Sequence, residues 1–477
     1  MPFDHRVIPP DSRTGRLWSV GCTTLLVVGC GLLAGCSTYH SQPLGRTAVD
    51  AALQPPAIEA VRVAAESIHH PLLKPMTIDG RDGFTPDELA VMAVIVSPNL
   101  RALRDQRGVA QAQVLQAGLL PNPQLGYTFD QQHGNNDPTL VNGKSLGLDW
   151  EVTSLLGYRD RVASAKSTAA ALDLDIAWQE WQVAQATRIC AFRILSLEAR
   201  LPLARETEQE LADALALAKK ASALGAMTTP DLAAATEAWS AAQDARFALE
   251  QELTAQRLAL ILTLGQPADR PVRLKVGTGF PELPPGTDNA AGLLVGMEQR
   301  RLDLVALTLG YQSAEASLRA AVKAQFPRIG LSFGKGHDTT NVRTRNFGVT
   351  VDLPLFDRNQ GQIALGTATR QQLFDEYVAR VAEARADVVR ILSDLAILRT
   401  QLQTLDAGLP ELERLVAALD QAMQMRNADA AAWRDAHGTL LARRAEQAKM
   451  RQNILELGVA LEIATGRPLL ASAGGDH

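Results

Sequence analysis

The feature that most constrains the fold of this 477-residue chain is an internal duplication. Residues 123–129 (PQLGYTF) match residues 327–333 (PRIGLSF) at an offset of 204 positions, and residues 264–267 (LGQP) match residues 465–468 (TGRP) at an offset of 201. A single length difference of three residues reconciles the two offsets. Because the two segments stay aligned from residues 123 and 327 to residues 267 and 468, the chain contains two copies of one unit. Each copy is far longer than the roughly 20–50 residues of a solenoid repeat.

Each unit shows the same order of elements, beginning with a helix. The first unit has an N-cap signal at Thr85, followed by Pro86 and two acids, and a break near Pro98. Beyond the helix, the spacing of apolar residues changes from a helical period to a period of two. The sequence therefore predicts two strands in each unit, at about 123–132, 145–153, 327–336 and 345–353.

The two faces of these strands differ in chemistry. One face carries leucine, valine and aromatic side chains, and the other carries glycines, hydroxyl groups and carboxylates. Strands of about ten residues with this pattern can cross a bilayer when tilted, with lipid on the apolar face and water on the other. Four carboxylates are therefore the candidates for lining an aqueous lumen: Asp130, Asp149, Glu151 and Asp352.

Closure of such strands requires more than one chain. Backbone groups in hydrocarbon must all be paired, so spanning strands have to form a closed barrel. One chain supplies four strands, whereas the smallest barrels have about eight. Three chains in a cyclic oligomer would supply about twelve. The alternative is that the hairpins pack on the surface of a helical domain.

A very long helix is predicted after each pair of strands. From Tyr158 to about Leu224 the first unit contains one proline, Pro202, and no glycine. Some 65 residues at 1.5 Å per residue give a helix of roughly 100 Å, which we expect Pro202 to kink or loosen. After a turn, Thr229-Pro230-Asp231 predicts the N-cap and first residues of a returning helix.

The returning helices carry apolar residues at coiled-coil spacing. Arg246 interrupts the seam of the first unit, and the seam of the second unit is shorter. The seam residues are Leu232, Ala235, Trp239, Ala242, Leu249 and Leu253 in the first unit, and Met450, Ile454, Leu457 and Leu461 in the second. Without the strands, these helices fit a coiled-coil stalk or scaffold equally well.

The N-terminus predicts export from the cytoplasm. Basic residues precede an apolar run at 17–33, as in a secretory signal peptide, and the run leads into the sequence LAGC, which ends at Cys36 and resembles a bacterial lipobox. We expect cleavage before Cys36 and a diacylglycerol on its sulfur. The predicted segments are a signal peptide at 1–35, a lipidated tether at 36–84, the first unit at 85–267, a linker at 268–288, the second unit at 289–468 and a tail at 469–477.

Composition excludes several other classes. After cleavage only Cys36 and Cys190 remain, which rules out an intrachain disulfide and a cysteine-based zinc or iron–sulfur site. A net charge of -5 with no basic block gives no indication of nucleic-acid binding. No GxSxG-type elbow between a strand and a helix, no HExxH motif and no P-loop is present, so we expect neither catalysis nor a cofactor other than the lipid. The adjacent residues His69 and His70 face different ways, which argues against a shared metal.

The ordered set of short motifs resembles the TolC-type outer-membrane efflux factors over about residues 85–468. The motifs are the NL and DL pairs at 99–100 and 303–304, the strand entries at 123–129 and 327–333, DLPLF at 352–356 and LGQP at 264–267. The resemblance implies a mainly α-helical homotrimer with a twelve-stranded membrane β-barrel and a helical tunnel in the periplasm, in the outer membrane of a Gram-negative bacterium. It also implies passive efflux with a periplasmic adaptor and an inner-membrane pump of the RND class. A structural envelope lipoprotein and a type I secretion exit duct remain the alternatives.

In that family the periplasmic tip of the tunnel is closed by the helix pairs, with carboxylate rings and links between chains. The resemblance assigns four candidates to this gate: Asp231, Asp435, Arg426 and Arg434. Ala432 replaces one of the two acids that the family often has in the second unit. For Asp231 we favour a helix-start carboxylate stabilised by the helix dipole. For Asp435 that role and a cation-attracting ring are equally open, and the two arginines are either links or solvated charges.

Overall fold

The computed structural model of the protein describes residues 37–133, 139–267, 272–275, 289–425 and 430–470. Up to residue 267 its elements are α1 (Arg46–Ala52), α2 (Ile58–Glu66), α3 (Pro86–Val96), α4 (Pro98–Ala117), β1 (Gln124–Asp130), β2 (Gly143–Glu151), a 3-10 turn (Thr153–Leu155), α5 (Tyr158–Ala223) and α6 (Thr229–Thr263). From residue 289 they are α7 (Ala290–Leu294), α8 (Met297–Arg300), α9 (Leu302–Lys323), β3 (Arg328–His337), β4 (Arg343–Asp352), α10 (Gln360–Gln424) and α11 (Ala430–Thr465).

The order of elements confirms the duplication. The series α4, β1, β2, α5 and α6 recurs as α9, β3, β4, α10 and α11. Each strand begins and ends within two residues of its predicted position. Among the described helices, none combines the length and the apolarity needed to cross a membrane. The chain divides into Met1–Gln54, in which α1 is the described helix, and Pro55–His477, which holds all the other elements.

The first helix of the repeat begins as its sequence predicts. The Thr85 hydroxyl accepts a hydrogen bond from the Glu88 backbone N–H at 3.2 Å, and the Glu88 carboxylate accepts one from the Thr85 N–H at 2.7 Å. This reciprocal capping box satisfies two backbone donors that the first helical turn leaves open. Ser97 separates α3 from α4, because Pro98 cannot continue α3 and instead occupies the first position of α4.

The long helices are the largest elements of both repeats. Helix α5 has 66 residues and α10 has 65, which corresponds to roughly 100 Å each at 1.5 Å per residue. Both continue through an internal proline, Pro202 in α5 and Pro410 in α10. Pro202 therefore does not end the helix, although proline cannot donate the backbone hydrogen bond of its position.

Each long helix packs against the helix that returns beside it, α6 on α5 and α11 on α10. Leu253 is buried between the first pair, and Leu461 is buried between the second pair and α7. Arg246, which interrupts the predicted seam, forms ion pairs with Glu208 on α5 and, at 2.9 Å, with Glu250 on its own helix. A charged residue is accommodated in the seam because carboxylates from both helices neutralise it.

The predicted tether is more ordered than its sequence suggests. Within Pro55–His477, α2 buries Val61 and Ala65 against α3, and Ile78 is also buried in this cluster. Phe84 pairs through backbone hydrogen bonds with Arg273 and Lys275, at 2.9 and 3.0 Å, so part of the predicted linker lies beside it. The expectation of a tether is therefore wrong for the stretch from α2 to Phe84, because its apolar side chains are buried in the first repeat.

A buried ion pair connects the two repeats. The Glu462 carboxylate on α11 is fully buried and accepts hydrogen bonds from Arg188 at 2.5 Å and Gln185 at 2.9 Å, both on α5. It also accepts the backbone N–H groups of Leu469 at 2.6 Å and Leu470 at 2.7 Å. Four donors around one carboxylate offset the cost of removing its charge from water.

A second ionic contact lies where the strands give way to helices. Asp160 in the first turn of α5 accepts a hydrogen bond from Lys323 at 2.6 Å and one from Arg319 at 3.3 Å, both near the end of α9. These cations hold the pKa of Asp160 below its ordinary value of 3.8, the Lys323 hydrogen bond contributing most. The contact therefore joins the first repeat to the second beside the sheet.

Candidate functional site

The four strands form one antiparallel sheet in the order β1-β2-β3-β4. The two hairpins are joined through β2 and β3, where Leu148 lies opposite Phe333 and Trp150 lies opposite Leu331. The sheet therefore combines both repeats. This arrangement differs from the alternative of two separate hairpins packed on a helical domain.

One face of the sheet is apolar and exposed. Residues opposite one another in an antiparallel pair point to the same side, so the register places the predicted apolar residues of all four strands on one face. Leu125 is 71% exposed, Tyr127 64% and Phe347 63%. Soluble monomers rarely expose a continuous apolar patch of this extent, so this face requires an apolar surrounding.

The opposite face, here called the polar face, carries the four lumen candidates together. Asp149 lies opposite Ser332, Glu151 opposite Gly330, Asp352 opposite Arg328 and Asp130 opposite Gly143. Glu151 also accepts a hydrogen bond from the Ser154 N–H at 3.0 Å, at the turn that leads into α5. The register thus brings the four carboxylates to one surface. Glycines and hydroxyl-bearing residues occupy the positions between them.

Both borders of the sheet are open strands. β1 and β4 each pair with one neighbour, so each presents a row of backbone N–H and C=O groups to another strand. An exposed edge beside an apolar face is a template for pairing with a further chain. The two edges of the sheet are therefore available for pairing with a further strand.

The predicted gate residue Asp231 takes part in the start of α6. Its backbone N–H donates to the Thr228 hydroxyl at 3.3 Å, and that hydroxyl donates to the Asp231 carboxylate at 2.6 Å. The N-cap is thus Thr228, one residue before the predicted Thr229, and Pro230 occupies the second helical position. The shift arises because the first turn of a helix tolerates both Thr229 and Pro230, so the sequence permits either threonine as the cap.

The turn between α10 and α11, which is the predicted tip of the second repeat, differs from the turn between α5 and α6 in the first. Asp435 is the sixth residue of α11, and its side chain is exposed. The influence of the helix dipole declines within the first turn, so a helix-start role explains Asp435 less well than it explains Asp231. Arg434 is half-buried on the same turn. Arg426 and the lipidation candidate Cys36 lie outside the described residues.

Comparison with known proteins finds one similar family. The model of the family described as "Outer membrane efflux protein" matches residues 293–467. The matched residues belong to the second repeat, and over them the chain is similar to the outer membrane efflux proteins. The resemblance to TolC-type efflux factors, the mainly α-helical duplicated fold, the outer-membrane location and the role of a channel component in efflux are thereby confirmed.

Individual relatives cover most of this efflux protein. It is 26% identical over 370 residues to outer membrane protein OprJ of Pseudomonas aeruginosa, covering 69% of this chain and 74% of OprJ. It is 23% identical over 409 residues to the pyoverdine export outer membrane protein OpmQ of the same organism, covering 80% and 84%. The Campylobacter jejuni CmeC outer membrane channel has the same fold, with a TM-score of 0.64 and 14% identity over 91% of this chain and 95% of CmeC.

The histidine pair of this efflux protein has a structural role. His70 donates from Nε2 to the Ala177 carbonyl at 2.9 Å and accepts at Nδ1 from the N–H groups of Leu72 and Leu73, both at 3.0 Å. An acceptor Nδ1 requires a neutral ring, and burial lowers the pKa of His70 accordingly. His69 instead contacts the Ser67 carbonyl, so the two rings share no ligand.

A different histidine meets two carboxylates where the repeats touch. His437 on α11 lies against Glu206 and Glu210 on α5, and one ligand atom from each of the three lies within 4.8 Å of the others. His437 Nδ1 is hydrogen-bonded to Glu210, and Trp433 stacks on the ring with centroids 4.8 Å apart. This is the group in the described chain with the residue types to hold a metal ion. Sequence reasoning missed it because the residues are 227 positions apart.

Proposed function

We propose that three copies of this efflux protein close into a passive duct, with a barrel in the outer membrane and a helical tunnel in the periplasm. The sheet carries the proposal, because its apolar face is exposed and its edges β1 and β4 are open. Pairing β4 of one copy with β1 of the next would satisfy the edge backbone groups that hydrocarbon cannot. Three copies would give about twelve strands, within the range of membrane barrels.

In this duct the polar face lines the water-filled lumen. Asp130, Asp149, Glu151 and Asp352 would then appear three times each around the wall. Carboxylates focus a negative potential in a narrow pore and favour the passage of cations over anions. The shared face of the four residues supports this role.

The periplasmic tip of the helices is the proposed gate. Three copies of Asp435 around one axis would form a ring of carboxylates, which fits its exposed position beyond the first turn of α11. Asp231 has a capping role and contributes less to such a ring. Arg434 and Arg426 are proposed as links between neighbouring helix pairs at the tip.

The duct works with two further components, and its chain performs no catalysis. A periplasmic adaptor and an inner-membrane pump of the RND class would drive cargo into it, and a diacylglycerol on Cys36 would anchor it to the membrane. The name of OpmQ, a pyoverdine export protein, supports outward transport. A type I secretion exit duct is the alternative function.

Conductance of the purified oligomer in planar bilayers tests the proposal. We expect discrete channels, and Asp435→Asn should lower their preference for cations over anions while Asp231→Asn leaves it unchanged. Asp231 is the matched control because it occupies the other tip and is already engaged by Thr228. Intact oligomers without any conductance would contradict the proposed duct.

A further inference from the structure

Beyond the apolar residues, the same face of the sheet becomes basic. Toward the hairpin ends, the register places Lys144 opposite His337 and His337 opposite Arg343, and in the next row Lys335 opposite Arg345. These five residues continue the alternation that includes Phe333 and Phe347, so they share the apolar face. We call them the basic rows. They extend across β2, β3 and β4 without an acidic residue among them.

Among the described residues, nothing neutralises the positive charges of the basic rows. Lys144, Lys335, Arg343 and Arg345 are exposed, and no ion pair of the described residues includes any of them. Of the nearby acids, Asp130 is on the polar face. Asp338 accepts hydrogen bonds from Thr340 and from the Val342 N–H in its own loop. Lys144 lies 5.9 Å from the centroid of the Phe129 ring.

Clustered like charges of this kind need a counter-ion. Residues directly opposite in an antiparallel pair have Cβ atoms roughly 5 Å apart, and like charges at that distance are destabilising. Lys335 and Arg345 are such a pair. An anion held between the two side chains would turn the repulsion into two charge-assisted contacts. Phosphate suits the pair because it offers several acceptor oxygens to a guanidinium and an ammonium.

The position of the basic rows identifies the kind of anion. The helices join the sheet at the other strand ends, beside Gln124, Glu151, Arg328 and Asp352. The basic rows therefore lie at the end away from the helices, directly beyond Phe333 and Phe347. A ligand there meets cations on one side and exposed aromatic and aliphatic side chains on the other, which is the chemistry of a phosphorylated lipid.

We propose that the basic rows bind the phosphate headgroups of anionic lipid in the leaflet away from the periplasm, with the acyl chains along the apolar face. The inference rests on the proposed duct, because only that orientation places this end of the sheet in the outer leaflet. The lipid would hold the barrel at a fixed depth through its phosphates, independently of the predicted lipid on Cys36.

Native mass spectrometry of the detergent-purified oligomer tests the proposal, with diphosphoryl lipid A as the probe. A basic residue beside an anionic lipid surface contributes roughly five-fold to binding. The double variant Lys335→Gln/Arg345→Gln should therefore bind the probe about 25-fold more weakly. Arg328→Gln is the matched control, because Arg328 is on the same strand but on the polar face opposite Asp352, and its binding should be unchanged.

Further arms separate lipid from a free anion and from failure of the duct. High salt should displace the probe, because it screens exposed charges. Inorganic phosphate should not displace the probe at concentrations too low to screen these charges. Equal binding of inorganic phosphate and lipid A would overturn the proposal, as would equal binding by the wild type and the double variant. Conductance of the same preparations is the separate readout. Channels that conduct but bind no lipid A would support the proposed duct and reject only the proposal that the basic rows bind lipid.

Discussion

A charged residue introduced on the apolar face tests directly whether that face is surrounded by lipid or by water. Val349 is in the middle of β4, opposite Leu331, and is 54% exposed in the single chain. If water surrounds this face, Val349→Arg exchanges one exposed residue for another and alters stability by less than about 0.5 kcal/mol. If lipid surrounds it, an arginine near the bilayer midplane costs about 2–4 kcal/mol in each copy.

The adjacent residue provides the control. Thr350 faces the other way and lies opposite Gly330, which leaves room for a longer side chain. Thr350→Arg should therefore leave folding into lipid vesicles nearly unchanged, whereas Val349→Arg should shift the folding equilibrium by roughly 30- to 1,000-fold. Urea titration of vesicle-folded protein, followed by tryptophan fluorescence, measures both variants. Equal midpoints for the two would refute the assignment of lipid to the apolar face.

Other contacts give further predictions. Arg188→Met leaves the buried Glu462 carboxylate without its cation and should lower the free energy of unfolding by about 3–5 kcal/mol; in denaturant titrations of the detergent-purified protein, a change below about 1 kcal/mol, as for an exposed pair, would contradict this. Because the pKa of Asp160 is lowered, its ion pair stabilises the fold above pH 3.8 and this is lost as the pH falls through the depressed value. The melting temperatures of the wild type and Asp160→Asn should therefore differ at neutral pH and converge in acid. Cys36→Ser should abolish incorporation of labelled palmitate, and persistent labelling would show that another residue carries the lipid.

Local signals in the sequence account for most of the elements. Period-two alternation placed all four strands within two residues, because an exposed apolar face imposes that pattern on every residue of a strand. The long helices followed from the near absence of glycine and proline between Tyr158 and Ala223. The helix start at Thr85 could be predicted because its capping partner, Glu88, is only three positions away in the sequence.

Features that depend on distant partners were not readable in the sequence. The burial of Val61 and Ile78 requires a cluster with α5 and α6 that no short-range pattern signals. Pairing of β2 with β3 joins distant segments, since Lys144 and His337 are 193 positions apart (337 − 144). The basic rows could have been found by extending the alternation past Phe333 to Lys335, because the period continues after the apolar residues end.

The helices make a case for assembly that is independent of the strands. Helix α9 packs on both α5 and α10, whereas its counterpart in the first repeat, α4, packs on α5 and has no comparable contact with α10 in the described chain. Likewise α5 packs on α11, but α10 has no comparable contact with α6 among the described residues. Two repeats with the same sequence pattern should offer the same surfaces. Within one chain, however, α5 is contacted by α9 and α11, whereas the matching surface of α10 is not contacted by α4 and α6 to a comparable extent in the described residues. Exposed apolar residues remain on these helices, including Val109 on α4 and Phe374 and Ile397 on α10. A ring in which α10 of one copy meets α4 and α6 of the next would cover this surface of α10, and the same step would bring β4 to β1.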